Sequence, residues 1–234
     1  MAVPVFLSQL IPQDYRPLLA AISPAAFTVV DWKQLLKEMP VLLKRINDRE
    51  NVSLRSEYAS SNDLGQAVLE FYFFQIFNPD GLFLDLRLKN FIKDKNNHVS
   101  YVPNGFWIQW QETFRLGLIS IYQGFYKKDD EKLEWGLLQV GLIDRKMPKE
   151  KCDEVKKMLL AHLGGDYENQ TFYVADFTKS FERFFQFLQK NKIRLSVDFL
   201  YLGIYLASLY HSLEKVGGTY DVKKCFIEIE EKRL

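Results

Sequence analysis

One apolar run near the carboxyl end constrains the fold more than any other feature of the sequence. It spans Phe199 to Tyr210, about twelve residues, and includes Gly203 and Ser208. A membrane-spanning helix needs about twenty apolar residues, so this run is too short to cross a bilayer. Apolar residues surround most of the helix that we expect from Val197 to Leu213, and a helix that is apolar all round is buried. The sequence therefore predicts a central helix.

Most other segments also predict helices, because their apolar residues recur at helical spacing. Asp31 and Ser196 stand where helix caps are expected, and Pro40 should kink or split the helix in which it lies. The polar segment 47–62 favours a loop, and residues 228–231 favour a charged C-terminal tail. The predicted helices cover residues 13–22, 31–46, 63–76, 110–125, 130–140, 148–163, 177–188 and 197–213.

The periodicity changes between Gly81 and Gly105. Apolar and polar residues alternate over 84–92 and again over 98–102, which is the period of a β-strand. We expect a small two-stranded β element around residues 82–105 and helices everywhere after Phe106. The fold class is therefore mainly α, and we treat residues 1–234 as a single domain. Within it, residues 1–60 form a helical N-terminal segment and residues 62–225 a helical core.

Charge and cysteine content exclude several classes of function. The chain has 31 basic and 30 acidic residues and no long basic block, so nucleic-acid binding has no electrostatic basis. Cys152 and Cys225 match no metal-site spacing and no disulfide framework, and we interpret them as free thiols in a reducing compartment. The first residues lack the basic region of a secretory signal. We expect a cytoplasmic protein.

The best candidate for chemistry is the segment that follows Gly81, because the familiar nucleotide-binding and hydrolase signatures are absent from the sequence. Asp85 and Asn90 lie five positions apart, just after an apolar strand. Kinase-type phosphoryl transfer uses an Asp to orient the attacking hydroxyl and an Asn to hold a metal ion on the phosphates. Asp85 is the candidate catalytic residue, and Asn90 the candidate metal ligand. A structural role in a tight loop is the alternative for both.

The same segment resembles the C-terminal lobe of AarF/UbiB-type atypical kinases. Residues 75–91 have the sequence Gln-Ile-Phe-Asn-Pro-Asp-Gly-Leu-Phe-Leu-Asp-Leu-Arg-Leu-Lys-Asn-Phe. In that family a helix ending in Gln-Ile-Phe meets Asp-Gly, two aromatic residues and His-Ala-Asp-Pro-His-Pro-Gly-Asn. Residues 98–105 stand where the family has a strand ending in Asp-Phe-Gly, and residues 192–198 resemble its Arg-Leu-Pro-x-Asp pattern. The resemblance covers roughly residues 64–225 and implies a kinase-C-lobe-like helical core.

The chain differs from the family at the catalytic and metal-binding positions. Phe83 occupies the position of the catalytic-loop His, and Pro103 that of the metal-binding Asp. The segment from Phe27 to Asp63 is too short to supply an N-terminal lobe with its phosphate-binding Lys. Losing a principal metal ligand should remove much of the catalysis. We expect a non-catalytic, pseudokinase-like binding or scaffold protein that needs no cofactor and contacts a protein partner or a hydrophobic small molecule.

Two alternatives stay open. One is a reduced phosphotransferase or ATPase that uses Mg-ATP with Asp85 and Asn90, and the other is an unrelated all-helical interaction protein. The family's link to coenzyme Q biosynthesis also implies a ligand of the isoprenoid-quinone type. The phenylalanine clusters over 71–77 and 177–187 are candidates to line its pocket, although core packing at helical spacing explains them more simply.

Overall fold

The computed structural model describes residues 13–22, 26–47, 63–103, 106–162 and 169–233, and helices dominate them. The predicted loop over 48–62 and the glycines after residue 163 lie outside this part. The helices are α1 (Arg16–Ala21, preceded by the 3-10 turn Gln13–Tyr15), α2 (Ala26–Val29), α3 (Trp32–Asn47), α4 (Leu64–Phe77), α5 (Glu112–Lys127), α6 (Asp130–Gln139), α7 (Lys149–His162), α8 (Val174–Lys190), α9 (Val197–Val216) and α10 (Val222–Glu231). The strands are β1 (Leu82–Phe83), β2 (Phe91–Lys93), β3 (Val99–Tyr101) and β4 (Trp107–Ile108).

The central position predicted for the last long apolar helix is confirmed in α9. Residues on every side of α9 are buried, among them Leu202, Tyr205 and Leu209. The helix contacts α1, α3, α4 and α8, and one hydrophobic core extends from Tyr15 to Ile229. Among the described residues, no helix combines the length and the apolar character that crossing a bilayer requires.

Aspartates begin several of the helices, because a carboxylate at this position accepts a hydrogen bond from an otherwise unpaired backbone N–H. Asp63 accepts from the N–H of Gln66 at 2.8 Å at the start of α4. Asp31 accepts from the N–H of Lys33 at 2.9 Å beside α3, as its position in the sequence predicts. Ser196 occupies the corresponding position of α9, but its side chain makes no capping hydrogen bond.

The β element consists of two separate antiparallel pairs, and the hairpin of β2 and β3 lies between β1 and β4 along the chain. Leu82 is opposite Ile108 in the outer pair, and the inner pair spans 91–93 and 99–101. Gly81 has a φ of 133°, and a Cβ atom there would lie 2.4 Å from the ring of Trp107. Glycine therefore permits the close approach of β4 to the turn before β1.

Two predictions of secondary structure are wrong. The alternation over 84–90 belongs to a loop and a 3-10 turn, Leu88–Asn90, because Leu84 and Leu86 pack against the core from an irregular backbone. Residues 107–108 form β4, within a region that the sequence predicts as helical. Pro40 does not split α3. It lies on the exposed side of the helix.

The predicted charged tail over 228–231 is also wrong, because these residues form the end of α10. Glu230 is buried and accepts hydrogen bonds from the side chains of Gln123 at 2.7 Å and Lys127 at 2.9 Å, both on α5. A buried carboxylate needs such partners. They lie more than one hundred residues away in the sequence, so local charge pattern could not reveal them.

Candidate functional site

Asp85 and Asn90 lie at the two ends of one loop, residues 84–90, which connects β1 to β2 and is called here the Asp85 loop. Both residues are buried. The side-chain amide of Asn90 donates to the backbone carbonyl of Asp85 at 2.9 Å, and the hydroxyl of Tyr101 donates to the same carbonyl at 3.0 Å. The structure thus brings the two predicted residues together through the backbone of the loop.

The carboxylate of Asp85 is fully buried and is paired with Arg87. Nε of Arg87 donates to Oδ1 and Nη2 donates to Oδ2, each at 2.7 Å, and the backbone N–H of Arg87 donates to Oδ1 at 3.1 Å. Nζ of Lys89 lies 3.9 Å from Oδ2. A bidentate pair of this kind is strong and geometrically specific. Both carboxylate oxygens therefore face cations of the same loop.

A second carboxylate completes an ionic group that we call the Asp85 cluster, formed by Asp14, Asp85, Arg87 and Lys89. Arg87 donates to the backbone carbonyl of Asp14 and lies 3.3 Å from its carboxylate, which Lys89 also contacts. The hydrogen bond from Lys89 is the main reason why the pKa of Asp14 lies below its ordinary value. Burial tends to lower the pKa of Arg87, but its hydrogen bond to Asp85 and that residue's charge raise it overall. The negative charges of the two acids and the positive charges of the two cations cancel within the cluster.

Side chains of α9 hold the backbone of the Asp85 loop. The hydroxyl of Ser208 accepts from the N–H of Leu86 at 3.1 Å and lies 2.8 Å from the carbonyl of Leu84. Ser212 donates to the carbonyl of Leu86 at 2.8 Å. Both serines are buried, and no motif in the sequence predicted a role for them. One signal in the sequence could have indicated a role for Ser208: this residue interrupts an otherwise apolar run.

Gln75 on α4 anchors the start of the same loop. Its Oε1 accepts from the N–H of Phe83 at 2.7 Å, and its Nε2 donates to the hydroxyl of Tyr205 at 3.0 Å. Tyr205 in turn donates to the carbonyl of Tyr72 at 2.9 Å. The loop is therefore fixed from α4 and α9 together, through side chains that are all buried.

The donor groups around Asn90 do not suit a magnesium ion on phosphates. Magnesium binds through oxygen ligands, usually carboxylates and water. The Asp85 carboxylate is occupied by Arg87, and Pro103 has no side-chain oxygen. No group of three or more His, Cys, Asp or Glu side chains that could hold a metal occurs among the described residues. A cation at Asn90 would have to displace the guanidinium of Arg87 to reach a carboxylate.

Asp198 is a second buried acid, and its environment differs. It lies at the start of α9, where its carboxylate accepts from the backbone N–H of Gln111. Its Oδ2 has no hydrogen-bond partner within the described part of the chain. Burial, and secondly the charge of Glu38 on α3, raise the pKa of Asp198 to about 7. Tyr201 donates to Glu38 at 2.8 Å, so this second carboxylate is itself fixed.

The phenylalanine clusters that were candidates to line a lipid pocket lie in or against the core, as the simpler explanation of core packing predicts. Phe181 and Phe184 line an apolar cavity of about 50 Å³, and Phe73 lines another of about 20 Å³. Pockets for small ligands usually measure about 300–1,000 Å³. Both cavities are far smaller than such pockets, so packing accounts for both clusters.

Comparison with known proteins identifies neither a family nor a function for the chain. No protein-family model matches the chain, and no curated protein shows significant sequence similarity to it. The resemblance to AarF/UbiB-type kinases consequently stays a prediction, as do the roles of Asp85 and Asn90.

Proposed function

We propose that this chain is a non-catalytic, pseudokinase-like binding or scaffold protein in which the Asp85 loop has a structural role. One observation carries the proposal: both oxygens of the fully buried Asp85 carboxylate accept hydrogen bonds from Arg87. A general base must come within about 2.6–3.2 Å of the proton donor, directly or through one water. Here Arg87 occupies the position that a substrate hydroxyl would need.

The arrangement of the strands supports the kinase-C-lobe-like part of the proposal. A kinase-like loop requires its Asp and Asn at the two ends of a short loop between strands, and residues 84–90 connect β1 to β2 in this way. Pro103 follows β3, at the position that the resemblance aligns with a metal-binding Asp. In this interpretation the loop keeps its metal-binding Asn as Asn90, while Pro103 replaces the metal-binding Asp.

The packing favours a protein partner over a hydrophobic small molecule. An isoprenoid quinone needs an apolar pocket of several hundred cubic ångströms, and the cavities beside Phe73 and Phe181 are far smaller. We therefore propose that a link to isoprenoid-quinone metabolism, if the resemblance carries one, operates through contact with another protein.

Thermal denaturation with and without Mg-ATP tests this proposal. Binding of millimolar ATP with a micromolar Kd would add about 4 kcal/mol of stability, which corresponds to roughly ten degrees in Tm for a domain of this size. We expect no magnesium-dependent shift in Tm. A shift of several degrees that requires magnesium and disappears in Asn90→Ala would contradict the proposal in favour of a phosphotransferase or ATPase.

A further inference from the structure

A polar recess lies away from the Asp85 loop, between the α6–α7 connection and the turn that joins α8 to α9. It has a volume of about 380 Å³ and is called here the basic cavity. None of the residues that line it belongs to the Asp85 loop or to β1–β4. Its volume falls within the range of pockets for small ligands. The proposed scaffold function makes no use of it.

Cations dominate the lining of the basic cavity. Two come from the α6–α7 side and two from the α8–α9 turn, and all are exposed to solvent: Lys146, Lys151, Lys192 and Arg194. Asp144 is the one acid among the lining residues, and its Oδ1 accepts from the backbone N–H of Lys146 at 2.6 Å. Within the described residues, none of the four cations forms an ion pair. An excess of three positive charges therefore faces one recess.

The backbone that carries these cations is fixed on both sides. The N–H of Met147 donates to the carbonyl of Asp144 at 3.0 Å, and that of Leu142 donates to Leu137 at 3.0 Å. On the opposite wall the N–H groups of Lys192 and Ile193 donate to carbonyls of the last turn of α8 at 3.1 and 2.9 Å. Converging like charges raise each other's energy unless an anion binds between them.

Two properties restrict the class of anion. The positive charges are confined to one recess on a chain of net charge +1, which disfavours nucleic acid as the ligand, because it needs an extended basic surface. Lysine and arginine side chains are the usual ligands of phosphate groups. The first turn of α7 borders the recess at Pro148 and Lys151, so the helix dipole adds positive potential there, although it does not make a site by itself.

We propose that the basic cavity binds a small molecule that carries a phosphate or pyrophosphate group. The anionic group lies between the two walls of the recess, and the four cationic side chains contact it from opposite sides. Binding does not need a metal ion, because the cations neutralise the anion directly. The site is separate from Asn90, so its ligand binds whether or not the Asp85 loop has any catalytic role.

Isothermal titration of the full chain with inorganic pyrophosphate, in a low-salt buffer with EDTA, tests the proposal. We expect saturable binding of one pyrophosphate per chain. The double variant Lys151→Ala, Lys192→Ala should bind about tenfold more weakly or worse, because it removes one charged partner from each wall. The matched control Lys37→Ala, Lys223→Ala loses the same charge at exposed sites elsewhere and should change Kd by less than about twofold.

Amide shifts in NMR spectra of the native chain locate the site independently of any variant. We expect pyrophosphate to move the amide signals of residues 141–151 and 191–194. Absence of saturation, equal weakening in both double variants, or shifts confined to other segments would each overturn the proposal. Capture by phosphatidic acid vesicles that is lost in Lys151→Ala, Lys192→Ala, without binding of free pyrophosphate, would assign the cavity to a lipid headgroup and overturn the small-molecule ligand.

Discussion

The Asp85 cluster and the basic cavity are both built from charged side chains, and they differ in how those charges are satisfied. In the Asp85 cluster Arg87 and Lys89 face Asp14 and Asp85, so that two acids balance two cations. In the basic cavity four cations face one acid and form no ion pair within the described residues. The charges of the first arrangement cancel without a ligand, whereas the second has an excess of positive charge that the proposed anion would neutralise.

We infer a structural role for one region and a binding role for the other from this difference in pairing. Asp and Asn at the spacing of a kinase loop suggest chemistry, but Asp85 and Asn90 are buried and paired within the loop, which favours the structural role that we propose. Lysines scattered over two segments suggest an ordinary solvated surface, but the fold brings Lys151 and Lys192 to the same recess. Whether the charged side chains are paired, and not which residue types they are, indicates which of the two regions could bind a ligand.

The largest expected effect is on Asp85. Replacing Asp85 with Asn leaves Arg87 partly buried without its bidentate partner, and breaking a buried pair costs about 3–5 kcal/mol. We expect a loss of this size in the free energy of unfolding, measured by urea denaturation. Asp80→Asn, an exposed acid in the preceding turn, is the control and should change stability by less than about 0.5 kcal/mol. A variant as stable as the wild type would indicate an aspartate kept for function, since such residues often cost stability.

Asp198 offers a second test of the comparison. It is buried like Asp85, but its Oδ2 has no hydrogen-bond partner within the described residues. Its raised pKa means that the folded state keeps a proton that the unfolded state releases between about pH 4 and about pH 7. Stability therefore falls as pH rises through this window, by at most about 4 kcal/mol. Asp198→Asn should remove that slope and raise stability at pH 8, the opposite sign to Asp85→Asn. Urea denaturation at pH 5 and pH 8 measures both effects, and an unchanged slope would contradict them.

A smaller effect is expected at Ser208. Ser208→Ala leaves the buried N–H of Leu86 without its hydrogen-bond partner, at a cost of about 1–3 kcal/mol. Ser120→Ala is a matched control at another buried helical serine. We expect Ser208→Ala to lower the urea midpoint more than the control does. Equal midpoints would mean that α9 does not support the Asp85 loop as described.

Local signals predicted much of the fold. Aspartates at helix starts and an apolar run without a polar face identified α3, α4 and α9, because capping and helical periodicity act within a few residues. Strand periodicity failed over residues 84–90, since Leu84, Asp85 and Leu86 are all buried there and burial does not follow the alternation of apolar and polar residues.

Contacts between residues far apart in the sequence could not be predicted for either candidate site. The sequence placed Asp85 and Asn90 in one short segment after an apolar strand, five positions apart. The ion pair with Asp14 could not be predicted, because more than seventy residues separate the partners. The two walls of the basic cavity are likewise distant in sequence, and nothing in either segment indicates that they meet.

A double-mutant cycle between Asp85 and Arg87 tests most directly whether the loop is a structural support. Urea denaturation of Asp85→Asn, Arg87→Met and the double variant gives the coupling free energy between the two side chains. We predict a coupling of about 2–3 kcal/mol, with the double variant losing less stability than the two single losses together. A coupling near zero, with Asp85→Asn no less stable than the wild type, would contradict the structural role and return Asp85 to the candidates for catalysis.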